Sequence, residues 1–144
     1  MQMSGMNELI TVARYWKQWS DPRFVVVVVN NRDLNMVTWE QRILAGDAKF
    51  ERSQDVPDFP YAQYARSLGL GGVRLDDPAA IGDALDEALA ATRPFVLEVI
   101  CDPEIPPLPP RVSLAQARNY LMAIAKGDPN AVRVVRATIR ELFA

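Results

Sequence analysis

Phe24-Val25-Val26-Val27-Val28-Val29-Asn30-Asn31 is the stretch on which the fold turns. Six apolar residues, five of them β-branched, run without polar alternation into two amides. Such a run predicts a strand buried on both faces, as in a parallel sheet lying under helices. Parallel sheets gather ligands at the carboxyl ends of their strands, where Asn30 and Asn31 emerge. The same two amides also suit a turn closed by amide-to-backbone hydrogen bonds.

Working outward, Met6, Leu9, Ile10, Ala13 and Trp16 recur at helical spacing, with Ser4 placed to cap them and Ser20-Asp21-Pro22 to end them. Beyond the strand, a polar turn leads into a short helix expected over Met36–Leu44 and stopped by Gly46. Residues 46–58 are polar and aperiodic, and read as a long loop. Asp58 with Pro60 opens a helix whose apolar face is Tyr61, Tyr64, Ala65 and Leu68. Gly71–Leu75 is a short strand, Asp77-Pro78 a helix start for Ile81, Leu85, Ala88 and Leu89, and Phe95–Cys101 a third strand. The class is α/β, an open parallel sheet with helices on both faces, joined by right-handed crossovers. Residues 1–101 form this part. Residues 102–112 form a connector, with five prolines in Asp102–Pro110 that favour an extended spacer over a ligand for a signalling module. Residues 113–144 form a helical tail. Ser113 caps its first helix, with Leu114, Ala117, Leu121 and Ile124 on one face. Asp128-Pro129 starts the second, with Val132, Val135, Ile139 and Leu142.

Composition narrows the function. At 144 residues, 49% apolar and 24% charged, the chain is long enough to bury a core. A net charge of −2 gives no basic footprint for nucleic acid or anionic membranes. Histidine is absent, which removes Ser-His-Asp and Cys-His arrangements, and Cys101 is the single cysteine. No run approaches the ~18 apolar residues of a membrane span, and nothing resembles a signal peptide, so the expected setting is cytoplasmic.

Three polar residues are candidates for chemistry. Asn31 offers an amide oxygen at a strand's carboxyl end, suited to a hard cation such as Mg²⁺; the alternative is a turn. Glu40 beside Trp39 is either a proton-transfer group or a solvated helix residue. Glu98, inside an apolar strand, requires a partner if buried, and a structural pair is the expectation.

As an ordered set, these residues resemble the C-terminal, diphosphate-binding domain of thiamine diphosphate enzymes of the pyruvate oxidase and acetolactate synthase type. The resemblance rests on Met1–Leu9, Val29-Asn30-Asn31, Leu34–Glu40, Asp58–Ala62, Asp76-Asp77-Pro78, Pro94–Glu98 and the proline connector. It implies thiamine diphosphate and Mg²⁺ as cofactors, with Asn31 and the backbone carbonyl of Asp33 as metal ligands. Asn7 and Glu8 would lie near the diphosphate, Met36 and Val37 along the cofactor, and Glu40 at an acidic catalytic position. Asn35 stands where many relatives have Gly. The family's Gly-Asp-Gly, its strand and the pyrimidine-binding domain have no counterpart in this sequence. The resemblance therefore implies a portion of a 2-oxo acid decarboxylating or carboligating enzyme, inactive alone, that forms a homo-oligomer or pairs with the missing domains. A non-catalytic assembly piece and an unrelated phosphate-binding domain are the competing readings; the latter lacks a Gly-rich loop opening a helix.

Overall fold

A computed structural model describes residues 5–105 and 113–142. The expected Ser4 cap and most of the proline connector, residues 106–112, lie outside them. By their contacts the described residues gather into two units, 5–30 with 58–101, and 31–57 with 102–105 and 113–142.

The first unit holds helix α1 (Met6–Tyr15), strand β1 (Val25–Asn30), helix α4 (Tyr61–Ser67), strand β2 (Gly71–Leu75), helix α5 (Ile81–Ala90) and strand β3 (Phe95–Ile100). The three strands form a parallel sheet in the order β1-β3-β2. Val26, Val96 and Gly72 share one register position, and Val27, Leu97 and Val73 the next, so successive layers face opposite sides. Leu9 of α1 and Tyr61 and Ala65 of α4 pack with Val28 and Val96 on one face; Ala84 of α5 packs with Leu75 and Leu97 on the other. The sheet is thus parallel and open, with helices on both faces. Gly72 sets how closely α4 approaches: a Cβ there would stand 2.5 Å from the Ala62 carbonyl oxygen.

The valine run departs from expectation. Val28 and Asn30 are buried, but Val27 and Val29 are 52% and 65% exposed. An apolar run of this kind predicts burial on both faces, yet among the described residues β1 is an edge strand and α5 packs chiefly over β2 and β3. The helix faces shift for a similar reason. Ile10 is exposed and Val12 packs in its place; Leu89 is exposed while Ala84 and Ala88 are buried, since small residues admit close helix–sheet contact.

The second unit holds helix α2 (Asn35–Glu40), which runs into a π turn over Gln41–Ala45, helix α3 (Glu51–Gln54), helix α6 (Leu114–Ala125) and helix α7 (Ala131–Leu142). Gly46, at φ 67°, ends the π turn as expected, but the supposed loop 46–58 contains α3 and a bridge of Asp33 to Asp55. Ser113 and Gln116 form a capping box at the start of α6. The faces expected to be buried are largely outward: Leu114, Leu121, Val132 and Ile139 are exposed, while Ala123, Val134 and Ala137 are buried. No described helix is long and apolar enough to cross a membrane.

Candidate metal and diphosphate site

The backbone after β1 makes a tight, strained turn. Asn31 Oδ1 accepts a hydrogen bond from the Asp33 N–H at 3.1 Å, and Arg32 between them adopts φ 56°. A left-handed conformation is uncommon for a residue with a Cβ and persists where surrounding structure enforces it. Two bonds enforce it here. Leu34 N–H donates to the Gln54 carbonyl (2.8 Å) and Val56 N–H to the Arg32 carbonyl (2.9 Å), flanking the Asp33–Asp55 bridge. In this antiparallel pattern, the N–H and C=O of Asp33 point away from Asp55. The Asp33 N–H meets the Asn31 amide oxygen, so the Asp33 carbonyl and that amide oxygen lie on the same side of the turn. Among the described residues, no hydrogen bond ends on the Asp33 carbonyl. The amide oxygen has a second lone pair beyond the one used by Asp33 N–H. Two neutral oxygens are thereby offered together, which fits a hard cation.

The Asp33 carboxylate is differently placed. It is buried, with Oδ1 accepting from Thr38 Oγ1 at 2.7 Å and Oδ2 from Lys49 Nζ. Lys49 Nζ also contacts Asp55 Oδ1 at 2.6 Å. Burial works against the ammonium, but its hydrogen bonds to Asp33 and Asp55 prevail and raise the Lys49 pKa. Among the described residues, no group of three or more acidic or cysteine side chains is placed to hold a metal.

Glu40 lies four residues after Met36 and three after Val37 on α2, and all three are exposed. Trp39 turns the other way: it is buried, stacks on Tyr120 (centroids 6.2 Å apart) and carries the Arg42 guanidinium over its ring. The ring and the Glu40 carboxylate do not share an environment, contrary to the premise that made their adjacency suggestive. Asn7 and Glu8 lie in the first turn of α1, exposed, and belong to the first unit, whereas Asn31, Asp33, Met36, Val37 and Glu40 belong to the second.

Asn30 and Glu98 answer the question of the amide pair for its first member. Asn30 Nδ2 donates to Glu98 Oε1 (2.8 Å) and Asp58 Oδ1 (3.3 Å). Glu98, fully buried, also accepts from Arg74 Nη1 (2.8 Å) and from the Ala62 N–H at the start of α4 (3.0 Å). The carboxylate therefore joins all three strands to α4, the structural pairing expected of it. Pro60, not Asp58, occupies the N-cap of α4, and Asp58 is bound to Arg74 at 2.9 Å. Sequence reading missed Lys49, Thr38 and Arg42. A lone lysine in a polar segment carries no signal of its partners, although burial of Asp33 two residues beyond Asn31 would have required a cation.

Comparison with known proteins shows the family. Residues 1–99 match the family described as thiamine pyrophosphate enzyme, C-terminal TPP binding domain. The chain is 32% identical over 115 residues to the putative thiamine pyrophosphate-containing protein YdaP of Bacillus subtilis, covering 80% of this chain and 18% of that protein. It is 36% identical over 84 residues to the mitochondrial acetolactate synthase catalytic subunit of Aspergillus candidus, covering 58% and 12%. It is 31% identical over 111 residues to a probable acetolactate synthase large subunit of Methanocaldococcus jannaschii, covering 75% and 18%. The chain thus spans less than a fifth of the length of these relatives. With the family model matching residues 1–99 of 144, the chain belongs to the C-terminal thiamine pyrophosphate-binding domains of the thiamine pyrophosphate enzymes.

Proposed function

We propose that this chain supplies part of the Mg²⁺–diphosphate site of a 2-oxo acid decarboxylating or carboligating enzyme, with Asn31 Oδ1 and the Asp33 carbonyl as its metal ligands. The observation that carries this reading is the strained Asn31–Arg32–Asp33 turn, which presents both oxygens on one side. When bound, the cofactor supplies the carbanion chemistry. The chain's residues hold and orient: Asn31 and Asp33 position the cation, and Met36, Val37 and Glu40 line the cofactor and substrate side, while for Asn7 and Glu8, in the first unit, a role near the diphosphate rests on the family resemblance alone. Glu40 is the candidate for proton transfer. The substrate class is a small 2-oxo acid; nucleic acid and membrane are not partners, and the setting is the cytoplasm. Because Mg²⁺ is ordinarily held by one or two carboxylates plus phosphates, two neutral oxygens make a weak site by themselves. Residues 1–144 alone therefore bind the cofactor more weakly than micromolar and do not turn over. Calorimetry with thiamine diphosphate and Mg²⁺ tests this, and micromolar affinity contradicts it.

A second reading, a non-catalytic assembly piece, is favoured by one observation. Among the described residues β1 pairs only with β3, and Val27 and Val29 lie exposed beside its free edge. An open apolar edge is a template for strand pairing, whether with another copy or with further domains. Light scattering that shows a well-behaved monomer at all concentrations argues against this role.

A further inference from the structure

Resting on the cation-site reading above, the structure assigns Lys49 a specificity role: it is a built-in counter-cation that withholds the Asp33 carboxylate from the metal, leaving only neutral oxygens to meet it.

Both oxygens of Asp33 are occupied. Oδ1 takes the Thr38 hydroxyl at 2.7 Å and Oδ2 takes Lys49 Nζ. Lys49 and Asp33 have side chains only 4% and 3% exposed, so neither is free to exchange its partner for water. The ammonium sits between two carboxylates, Asp33 and Asp55, which are paired across an antiparallel bridge. Its own backbone is fixed as well, because the Lys49 N–H donates to Asp128 Oδ2 at 3.0 Å. A positive charge already fills the place a divalent cation would take between these acids.

The consequence concerns the order of binding. A carboxylate beside Asn31 would let the turn capture Mg²⁺ from solution without a ligand. With Asp33 neutralised, the cation meets one amide and one carbonyl oxygen, and the anionic oxygens it needs must arrive on the diphosphate. The turn then takes metal and diphosphate together, and bare metal poorly. Lys49 is accordingly a positioning residue. It has no contact with the reacting atoms and acts through Asp33.

Removing the lysine should therefore create metal affinity, an outcome that mere loss of structure does not produce. Titration of the 1–144 chain with Mn²⁺ alone, followed by electron paramagnetic resonance of the free ion, reads this directly. Lys49→Ala should bind Mn²⁺ at least about tenfold more tightly than the wild-type chain, the scale on which a metal site responds to its supporting groups. Adding Asp33→Asn should abolish the gain, and Lys49→Arg should behave as wild type. If circular dichroism shows Lys49→Ala to be unfolded, Lys49→Met fills the space without the charge and carries the same expectation. A folded Lys49 variant that binds Mn²⁺ no better than wild type overturns the proposal. If the wild-type chain meanwhile takes up Mn²⁺ with thiamine diphosphate, only the role of Lys49 falls; if it does not, the cation-site reading falls too.

Discussion

The guanidinium of Arg42 grips the carboxylate of Asp128 through two parallel hydrogen bonds, Nε to Oδ2 at 2.9 Å and Nη2 to Oδ1 at 3.0 Å, with both side chains buried. This pair lies 86 residues apart in sequence and ties the segment after β1 to the approach to α7. Asp128 also accepts from the backbone N–H of Lys49 and of Asn130, so a single carboxylate holds three pieces of chain. Removing Arg42 leaves the Asp128 carboxylate buried without a counter-charge, and removing Asp128 leaves Arg42 only Glu104, 3.6 Å away; breaking a buried pair in this way costs about 3–5 kcal/mol. Arg42→Met and Asp128→Asn should each cost about that much in denaturant unfolding. Replacing both charges with apolar residues should cost much less than the sum of the two single changes.

The same cluster predicts an opposed pH dependence. Burial pushes the Asp128 carboxyl up, but the hydrogen bonds from Arg42, Lys49 and Asn130 prevail and hold it below its usual 3.8. Its contribution is present above pH 3.8 and is lost as the pH falls through the lower folded value. Glu104 behaves oppositely. It is buried with Arg42 Nη1 3.6 Å away, and burial raises its carboxyl above 4.5 despite the attraction of that cation. Its contribution is full below pH 4.5 and fades as the pH rises through the folded value. Thermal melts from pH 3 to 7 should show Glu104→Gln gaining stability relative to wild type toward neutral pH. Asp128→Asn should lose its relative deficit toward acid.

Gly72 tests how closely helix and sheet meet. A methyl group there would lie 2.5 Å from the Ala62 carbonyl oxygen, which is backbone and cannot rotate aside. Gly72→Ala should destabilise the first unit by about 1–3 kcal/mol, the cost of overpacking. Chemical denaturation followed by circular dichroism checks it.

Glu98 offers a complementary test in the same unit. It is fully buried and accepts from Asn30, Arg74 and the Ala62 N–H. Glu98→Gln keeps the shape but substitutes a donor for one of two acceptor oxygens. Because hydrogen bonds to a charged group contribute about 1.5–3 kcal/mol each, a loss of about 2–3 kcal/mol is expected. Hydrogen exchange should show protection falling first at the Ala62 amide and in β1.

Much of this architecture was legible in the residues themselves. Asp77-Pro78, the Ser113–Gln116 box and the β-branched run each carry a local mechanism, and each marks its element. Glu98 announced a buried partner because a carboxylate in an apolar strand cannot stay unpaired. What escaped was set at long range. A run of five valines reads alike in a central strand and in an edge strand, so the exposure of Val27 and Val29 followed only from the strand order. On α6 and α7, the buried positions are Ala123, Val134 and Ala137, whereas Leu114, Leu121, Val132 and Ile139, the choice that apolar size and spacing suggest, are exposed. At the site, Asn31 was visible from its place at the strand end. Lys49 was not, because its partners Asp33 and Asp55 come together through a bridge that no short window contains.

The central claim is that Asn31 and the Asp33 carbonyl hold the cation that carries the diphosphate. Its most direct test is titration of the 1–144 chain with Mn²⁺ in the presence of thiamine diphosphate, comparing wild type with Asn31→Ala. The account predicts saturable uptake by the wild-type chain, weaker than micromolar, and a loss of about tenfold or more in the folded variant. Equal uptake by folded Asn31→Ala and wild type would contradict it.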